Sequence, residues 1–271
     1  MKDFNSSFNS TKTTEFIVNW LKNYAVNARV DGFVVGVSGG IDSAVTSTLC
    51  AMTGLKTLCV ELPIHQAQYH VERKKEHILQ LKKRFNNVED ACIDLTQIFE
   101  NFKTTVKPSI NDTLYNLSLA NTRARLRMTT LYYLAGINRL LVAGTGNKIE
   151  DFGVGFYTKY GDGGVDLSPI ADLMKSEVYK LGAFLKVPES ILEAAPTDGL
   201  FGNDRTDEDQ LGASYNELEW AMIETEKGKV LDNFIGREKE VFAIYKTLNS
   251  INQHKMNPIP ICKIPKKIKI T

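Results

Sequence analysis

The chain has 271 residues, 43% of them hydrophobic, with 33 Lys and Arg against 32 Asp and Glu for a formal net charge of +1. Such a chain can bury a large core, and its charge balance gives no reason to expect a nucleic-acid partner. No stretch approaches the roughly 18 uninterrupted apolar residues of a membrane span, and the opening M-K-D-F-N-S-S-F-N-S lacks the apolar core of a signal peptide, so no membrane association and a cytoplasmic location are expected.

In chain order, Phe16, Ile17, Trp20, Leu21 and Tyr24 recur with helical spacing and predict a helix over residues 13–27. Its apolar stripe is explained equally by core packing or by a subunit contact. Short runs rich in Val, Leu, Ile and Cys at 33–37, 57–62, 91–95 and 139–143 read as buried strands, separated by longer amphipathic segments. That alternation predicts an α/β fold, a doubly wound parallel sheet flanked by helices. Residues 71–85 carry Glu72, Arg73, Lys74, Lys75, Glu76, Lys82, Lys83 and Arg84, a mixed run that reads as a solvated helix face. Arg123 and Arg127 share a face of a further helix, and Arg125 does not.

The four cysteines, Cys50, Cys59, Cys92 and Cys262, have no C-x-x-C spacing. Cys59 and Cys92 lie in strand-like runs and are expected to pack as small hydrophobes, which indicates neither zinc nor disulfides. No repeat or low-complexity linker divides the chain. Residues 1–271 therefore read as a single domain with a C-terminal helical extension from near Ser214. In the last residues Pro258, Pro260 and Pro265 interrupt a basic tail carrying Lys263, Lys266, Lys267 and Lys269, which is expected not to be helical.

The run F-V-V-G-V-S-G-G-I-D-S, residues 33–43, delivers a strand through a glycine-rich turn into a helix starting near Asp42. Gly36, Gly39 and Gly40 permit close backbone approach. Ser38 and Ser43 add hydroxyls, and the helix start presents unpaired N–H groups to an anion. The turn is thus a phosphate cradle, but neither a P-loop nor a dinucleotide fingerprint. Asp42 stands where a P-loop has lysine, and an acid beside phosphate implies an intervening cation, so Asp42 reads as a magnesium ligand. A second constellation spans residues 140–164. There a buried strand ends in Gly144, Thr145 and Gly146, which places Thr145 on the sheet's carboxyl rim beside Ser38. Glu150, five residues on, is a candidate second carboxylate for the same magnesium.

S-G-G-I-D-S resembles the signature of the N-type ATP pyrophosphatases. Together with G-T-x-N-K-x-E, F-Y-T-K-Y-G-D-G-G, N-T-R-A-R-L-R-M, V-D-L-S-P-I-A-D-L-M-K, A-P-T-D-G-L, T-D-E-D-Q-L-G-A-S-Y and H-K-M, in this order, the chain resembles the NAD synthetases over nearly its whole length. The resemblance implies a ligase that amidates deamido-NAD with ammonia, using ATP as co-substrate and releasing AMP and pyrophosphate. It implies ATP binding by Gly36, Val37, Ser38, Gly39, Gly40, Ile41, Asp42 and Ser43, with Thr145, Lys175 and Thr197 as further contacts, and magnesium on Asp42 and Glu150. Catalytic roles would fall to Asp42, Lys175 and Thr197. Deamido-NAD would meet Arg125, Lys159, Asp166, His254 and Lys255, a mainly basic set suited to a diphosphate and a carboxylate. Residues 197–212 would close over the intermediate, and a homodimer is implied.

The implied mechanism adenylates the nicotinate carboxylate and then lets ammonia displace AMP, so it needs no protein nucleophile. The chain begins almost at once with the helix before the phosphate turn, so free ammonia rather than glutamine is the expected nitrogen donor. Residues 62–68 and Glu61 depart from the family's usual pattern, which leaves the adenine contacts open. Other expectations are an enzyme adenylating a tRNA base, which would add a basic domain or paired cysteines, and a regulatory ATP-binding protein, which would not release pyrophosphate.

Overall fold

Asn9 accepts the Lys12 N–H at 2.9 Å and starts α1, Ser10–Ala28. This is the first element of the computed structural model, which describes residues 8–65, 68–106, 112–194 and 206–269. The expected apolar stripe on α1 divides into two. Ile17, Leu21 and Ala25 are buried against the sheet, while Phe16, Trp20 and Tyr24 remain exposed.

The chain then alternates through β1 (Gly32–Gly36), α2 (Ile41–Met52), β2 (Lys56–Glu61), α3 (Gln68–Arg84) and β3 (Val88–Cys92). Two helices in succession, α4 (Thr96–Val106) and α5 (Asp112–Asn138), carry it back to β4 (Leu140–Val142) on the other side of β1. The sheet is parallel in the order β3-β2-β1-β4, with Gly32 level with both Lys56 and Leu140. Connections leave β1 in one direction and return to its opposite flank, so the strand order reverses between β1 and β4. The doubly wound expectation is met, and in such sheets ligands bind at this reversal, outside the carboxyl ends of the strands.

Alternating residues of β1 serve two cores. Phe33 and Val35 pack with α1, α2 and α6 (Lys175–Phe184), whose Val178 and Leu181 are fully buried. Val34 faces the other way with Leu58 and Val60 of β2, against Phe99 of α4 and Leu134 of α5. Within α2, Ser47 donates to the Ser43 carbonyl at 2.7 Å and lies 2.8 Å from His77 Nε2, where burial pushes the imidazole down to about 4. This Ser-His pair is an uncharged buttress between α2 and α3.

Four expectations are corrected. The third strand begins three residues before its predicted start, because it is an edge strand. Glu89 and Asp90 face solvent there and hide its first half from hydrophobic patterning, while Ile93 and Leu95, which suggested the strand, follow the ladder. Cys92 is consequently exposed rather than packed, whereas Cys59 is buried and its thiol is pushed up to about 12 by burial. The fourth strand is shorter than expected at both ends, because Arg139 takes a left-handed φ of 56° before it and Ala143 makes only an isolated bridge, to Leu167, after it. Finally, the tail contains one helical turn, α12, Lys266–Lys269. It follows Pro265, whose carbonyl accepts the Ile268 N–H at 3.0 Å, and proline is compatible with a helix start.

After α6 come α7 (Glu189–Leu192), α8 (Asp207–Leu211), α9 (Tyr215–Glu226), a 3₁₀ turn (Leu231–Asn233), α10 (Gly236–Ile251) and α11 (Gln253–Met256). The expected helical extension therefore exists, with Ser214 capping α9 through a reciprocal capping box with Glu217. Trp220, Phe234, Phe242 and Tyr245 of this extension pack onto Ile149 and Val154 of a π-helical turn, Ile149–Val154. Gly155 ends that turn at φ 66°, where an added Cβ would lie 2.4 Å from Asn252 Cβ. Among the described residues, no helix is long and apolar enough to cross a membrane.

Leu181→Ala is expected to lower stability by about 3 kcal/mol, the range for emptying a fully buried leucine site. Urea unfolding of the two proteins checks this, and a loss below about 1 kcal/mol would contradict the packing of α6 described above.

Candidate active site

The turn between β1 and α2 is braced by its own side chains. Ser43 Oγ donates to the Gly40 carbonyl at 3.0 Å and accepts the Ser38 N–H at 3.2 Å, while Ser38 Oγ accepts the Gly40 N–H at 3.1 Å and lies 3.0 Å from Ser43 Oγ. Gly39 takes a φ of 87°, which a residue with a side chain rarely adopts. Gly40 caps α2 with no side-chain hydrogen bond, so the first-turn N–H groups of the helix are left to an anion.

Lys175 is the electrostatic centre. Its Nζ donates to Asp42 Oδ2 at 2.6 Å and to Glu150 Oε1 at 2.9 Å, and its side chain is only 4% exposed. Asn147 joins the same two acids, donating to Asp42 Oδ1 at 3.1 Å and accepting the Glu150 N–H at 3.1 Å. Tyr215 donates its hydroxyl to Glu150 Oε1 at 2.6 Å, and its ring centroid lies 4.7 Å from the ammonium. Burial, and then the neighbouring carboxylates, hold the hydroxyl well above the ordinary tyrosine range, so Tyr215 keeps its proton and acts as a hydrogen-bond donor in this cluster.

Burial alone would lower Lys175, but Asp42 and Glu150 outweigh it and keep the ammonium charged. The two acids diverge. Burial raises Asp42 more than Lys175 and its hydrogen bonds lower it, while for Glu150 the pull of Lys175 and of the Tyr215 hydroxyl overcomes burial and the net shift is downward. Asp151, close by, is pushed up to about 8 by burial and then by Glu150, Asp162 and Asp42, so it holds its proton at neutral pH.

Asp42, Glu150 and Lys175 open into one cavity of about 270 Å³, lined also by the rest of residues 36–43 and by Thr145, Tyr179 and Asp207. Every described residue expected at the ATP site thus lines a single space, while Thr197 lies outside the described residues. The deamido-NAD set is elsewhere. Arg125 donates to the Lys159 carbonyl at 3.3 Å and Lys159 Nζ to the His254 carbonyl, which links these three on the surface. Lys255 donates to the Gly155 and Tyr157 carbonyls at 2.7 and 2.9 Å, and burial lowers it. Asp166 accepts from the Val142 N–H at 2.8 Å and from the Tyr132 hydroxyl at 3.1 Å. None of the five lines the cavity.

Asn147 and Tyr215 lie inside sequence motifs, but the sequence alone assigns neither a role. Their signal was only that motif membership, because neither side chain is distinctive until the fold sets it beside an acid. A magnesium ion takes one or two carboxylates and completes its shell with phosphate oxygens and water. The donor set fits that pattern. Asp42 and Glu150 already converge on one cation, and among the described residues no group of three or more His, Cys, Asp or Glu forms an all-protein metal cage.

A family model described as NAD synthase matches residues 13–259. The chain belongs to the NAD synthase family. The NH(3)-dependent NAD(+) synthetase of Carboxydothermus hydrogenoformans is 36% identical over 84% of this chain and 92% of its own length. Among solved structures, an NMN synthetase from Francisella tularensis is similar at a TM-score of 0.83 and 31% identity, covering 95% of this chain and 100% of that one. An NH3-dependent NAD synthetase from Campylobacter jejuni superposes at 0.75, with 27% identity over 94% of this chain and 100% of that one. The NAD synthase family's reaction is the ATP-dependent amidation of deamido-NAD.

Lys175→Met leaves Asp42 and Glu150 buried together without their cation, and stability at pH 7 is expected to fall by about 3 kcal/mol. The sign with pH follows from the shifts. Lys175 is raised on folding, so its contribution is complete below the ordinary lysine range and fades only as pH rises through the folded value. In the variant the two acids repel and take up protons more readily, so the deficit shrinks as pH falls toward 5. Urea unfolding at both pH values tests this, and a deficit that does not change between them would refute the charge account.

Proposed function

We propose that this chain carries out the family's reaction with ammonia as nitrogen donor, and that residues 1–271 work as one catalytic unit in the cytoplasm. The observation that supports it most is the convergence of the phosphate-type turn, the Asp42-Lys175-Glu150 cluster and Thr145 on one cavity at the reversal of strand order.

In this reading the N–H groups of residues 39–43 and the hydroxyls of Ser38 and Ser43 hold the ATP phosphates, with Thr145 lining the same cavity after β4. Asp42 and Glu150 would hold magnesium, which would supply charge neutralisation of phosphate oxygens. Lys175 contributes a fixed positive charge beside the α-phosphate, and Thr197 a further contact to the nucleotide. The acceptor's carboxylate, already ionised at neutral pH, attacks the α-phosphorus as the bond to pyrophosphate breaks. Ammonia then adds to the activated carbonyl, AMP leaves with the bonding pair, and one proton is released. The protein's task is alignment and charge neutralisation, with no covalent step of its own. Arg125, Lys159, Asp166, His254 and Lys255 receive the dinucleotide, outside the cavity. A homodimer is part of the proposal, supported by the exposed Phe16, Trp20 and Tyr24 on α1.

A second reading replaces the dinucleotide by the corresponding acid mononucleotide, favoured by the likeness to an NMN synthetase structure at 31% identity. Purified protein is incubated with magnesium, ATP and ammonium, and with each acceptor in turn, while amide, AMP and pyrophosphate are followed. Equal amounts of the three products are expected, and the acceptor with the higher kcat/KM decides between the readings. ATP binding without AMP release from either acceptor would overturn both. Asp42→Asn is expected to lower kcat/KM by about 100-fold or more, equivalent to roughly 2.7 kcal/mol of transition-state stabilisation.

A further inference from the structure

Each oxygen of a carboxylate offers about two acceptor sites. On Glu150 those of Oε1 are already in use. Tyr215 donates its hydroxyl there at 2.6 Å and Lys175 its ammonium at 2.9 Å. Asp42 is partnered differently, with Asn147 on Oδ1 at 3.1 Å and Lys175 on Oδ2 at 2.6 Å, so its donors are divided between its oxygens. Lys175 serves both acids, and the Tyr215 hydroxyl adds to Glu150 a second donor on the same oxygen.

Tyr215 is held firmly in that position. It is the first residue of α9, is buried, and packs in one cluster with Ile149, Val154 and Leu218. Its N–H donates to Glu208 Oε1 at 2.9 Å. The hydroxyl oxygen lies 3.2 Å from Asp207 Oδ2 as well, but its single proton goes to the nearer acceptor, Glu150. The same ring stands 4.7 Å from the Lys175 ammonium, so ring and hydroxyl together fix both donors to Oε1.

A cation that binds Glu150 therefore meets it through Oε2. Such single-oxygen ligation suits magnesium, which is small, octahedral and keeps much of its water. Calcium is larger and takes more oxygens, and it gathers them by gripping carboxylates through both oxygens at once. At Glu150 that second grip costs the Tyr215 hydrogen bond. We propose that Tyr215 is a positioning residue that sets metal specificity: its hydroxyl, by occupying Glu150 Oε1, keeps this acid a single-oxygen ligand and so favours magnesium over calcium. The inference rests on the reading of Asp42 and Glu150 as the magnesium ligands.

Calorimetry compares the magnesium and calcium complexes of ATP on the wild type and on Tyr215→Phe, which keeps the ring and removes only the hydroxyl. No acceptor is present, so ATP is not consumed. The wild type is expected to bind the magnesium complex more tightly. In the variant the ratio of the two dissociation constants is expected to shrink about tenfold, the scale of one hydrogen bond to a charged group. A loss of packing alone would weaken both complexes alike, so an unchanged ratio in a folded variant would overturn the role, as would a wild type that does not discriminate. Should the variant misfold, which circular dichroism would show, infrared difference spectra of the wild type with and without magnesium decide. The separation of the two carboxylate stretches is wide for ligation through one oxygen and narrow for ligation through both, and a narrow separation with magnesium would refute the inference. A wild type that binds ATP equally well with and without magnesium would instead refute the metal reading on which the inference stands.

Discussion

One ammonium between two buried carboxylates organises this molecule's functional end. Lys175 is the first residue of α6, Asp42 lies in the first turn of α2 and Glu150 in the π-helical turn after β4, so a single charge joins three separately built elements. Two carboxylates at such separation would repel strongly in a medium poorer in water than the surface. With Lys175 present they stand close enough to act as a pair, and Asn147 sets their mutual orientation from below.

The C-terminal extension is what keeps that charge in place. Glu219 of α9 is buried and accepts both the Ser176 N–H at 2.8 Å and the Ser176 hydroxyl at 2.7 Å, gripping the start of α6 one residue beyond Lys175. Tyr215, from the first turn of the same α9, reaches Glu150. The aromatic cluster of Trp220, Phe234 and Phe242 secures α9 in turn, with ring centroids 5.0 and 4.9 Å apart. The extension is therefore part of the site's wall, and the sheet alone would leave Lys175 on an unclamped helix end.

Much of this was legible in the sequence, because the features concerned are local. The glycine-rich turn, the strand before it and the serine that opens α9 each announce themselves within about ten residues, the range over which propensity and capping act. Asp42, Glu150 and Lys175 were found through motifs and the chemistry of phosphate. Their joint contact was not foreseen, since nothing in residues 42, 150 and 175 specifies that one amine bridges both acids. The edge strand Val88–Cys92 was misplaced because Glu89 and Asp90 point outward, and burial on one side leaves half its pattern polar. Lys74 illustrates the opposite error. In a run of charges every residue looks solvated, and only the placement of α3 over the end of β2 shows that one of them is enclosed.

The register of the sheet carries a consequence for how the molecule comes into being. Gly32 pairs with Leu140, and Lys175 meets Asp42 across 133 positions of the chain, so the site closes through contacts of long sequence separation. Such contacts form only after a large loss of chain entropy and are slow to establish. During synthesis the phosphate turn and its two flanking strands emerge well before the lysine that neutralises them, and the glutamate that grips α6 emerges later still. Until then Asp42 is an ordinary solvated carboxylate, ionised at neutral pH. Burial is what raises its pKa and Lys175 is what offsets that rise, so a core that closed ahead of α6 would have to take up a proton there.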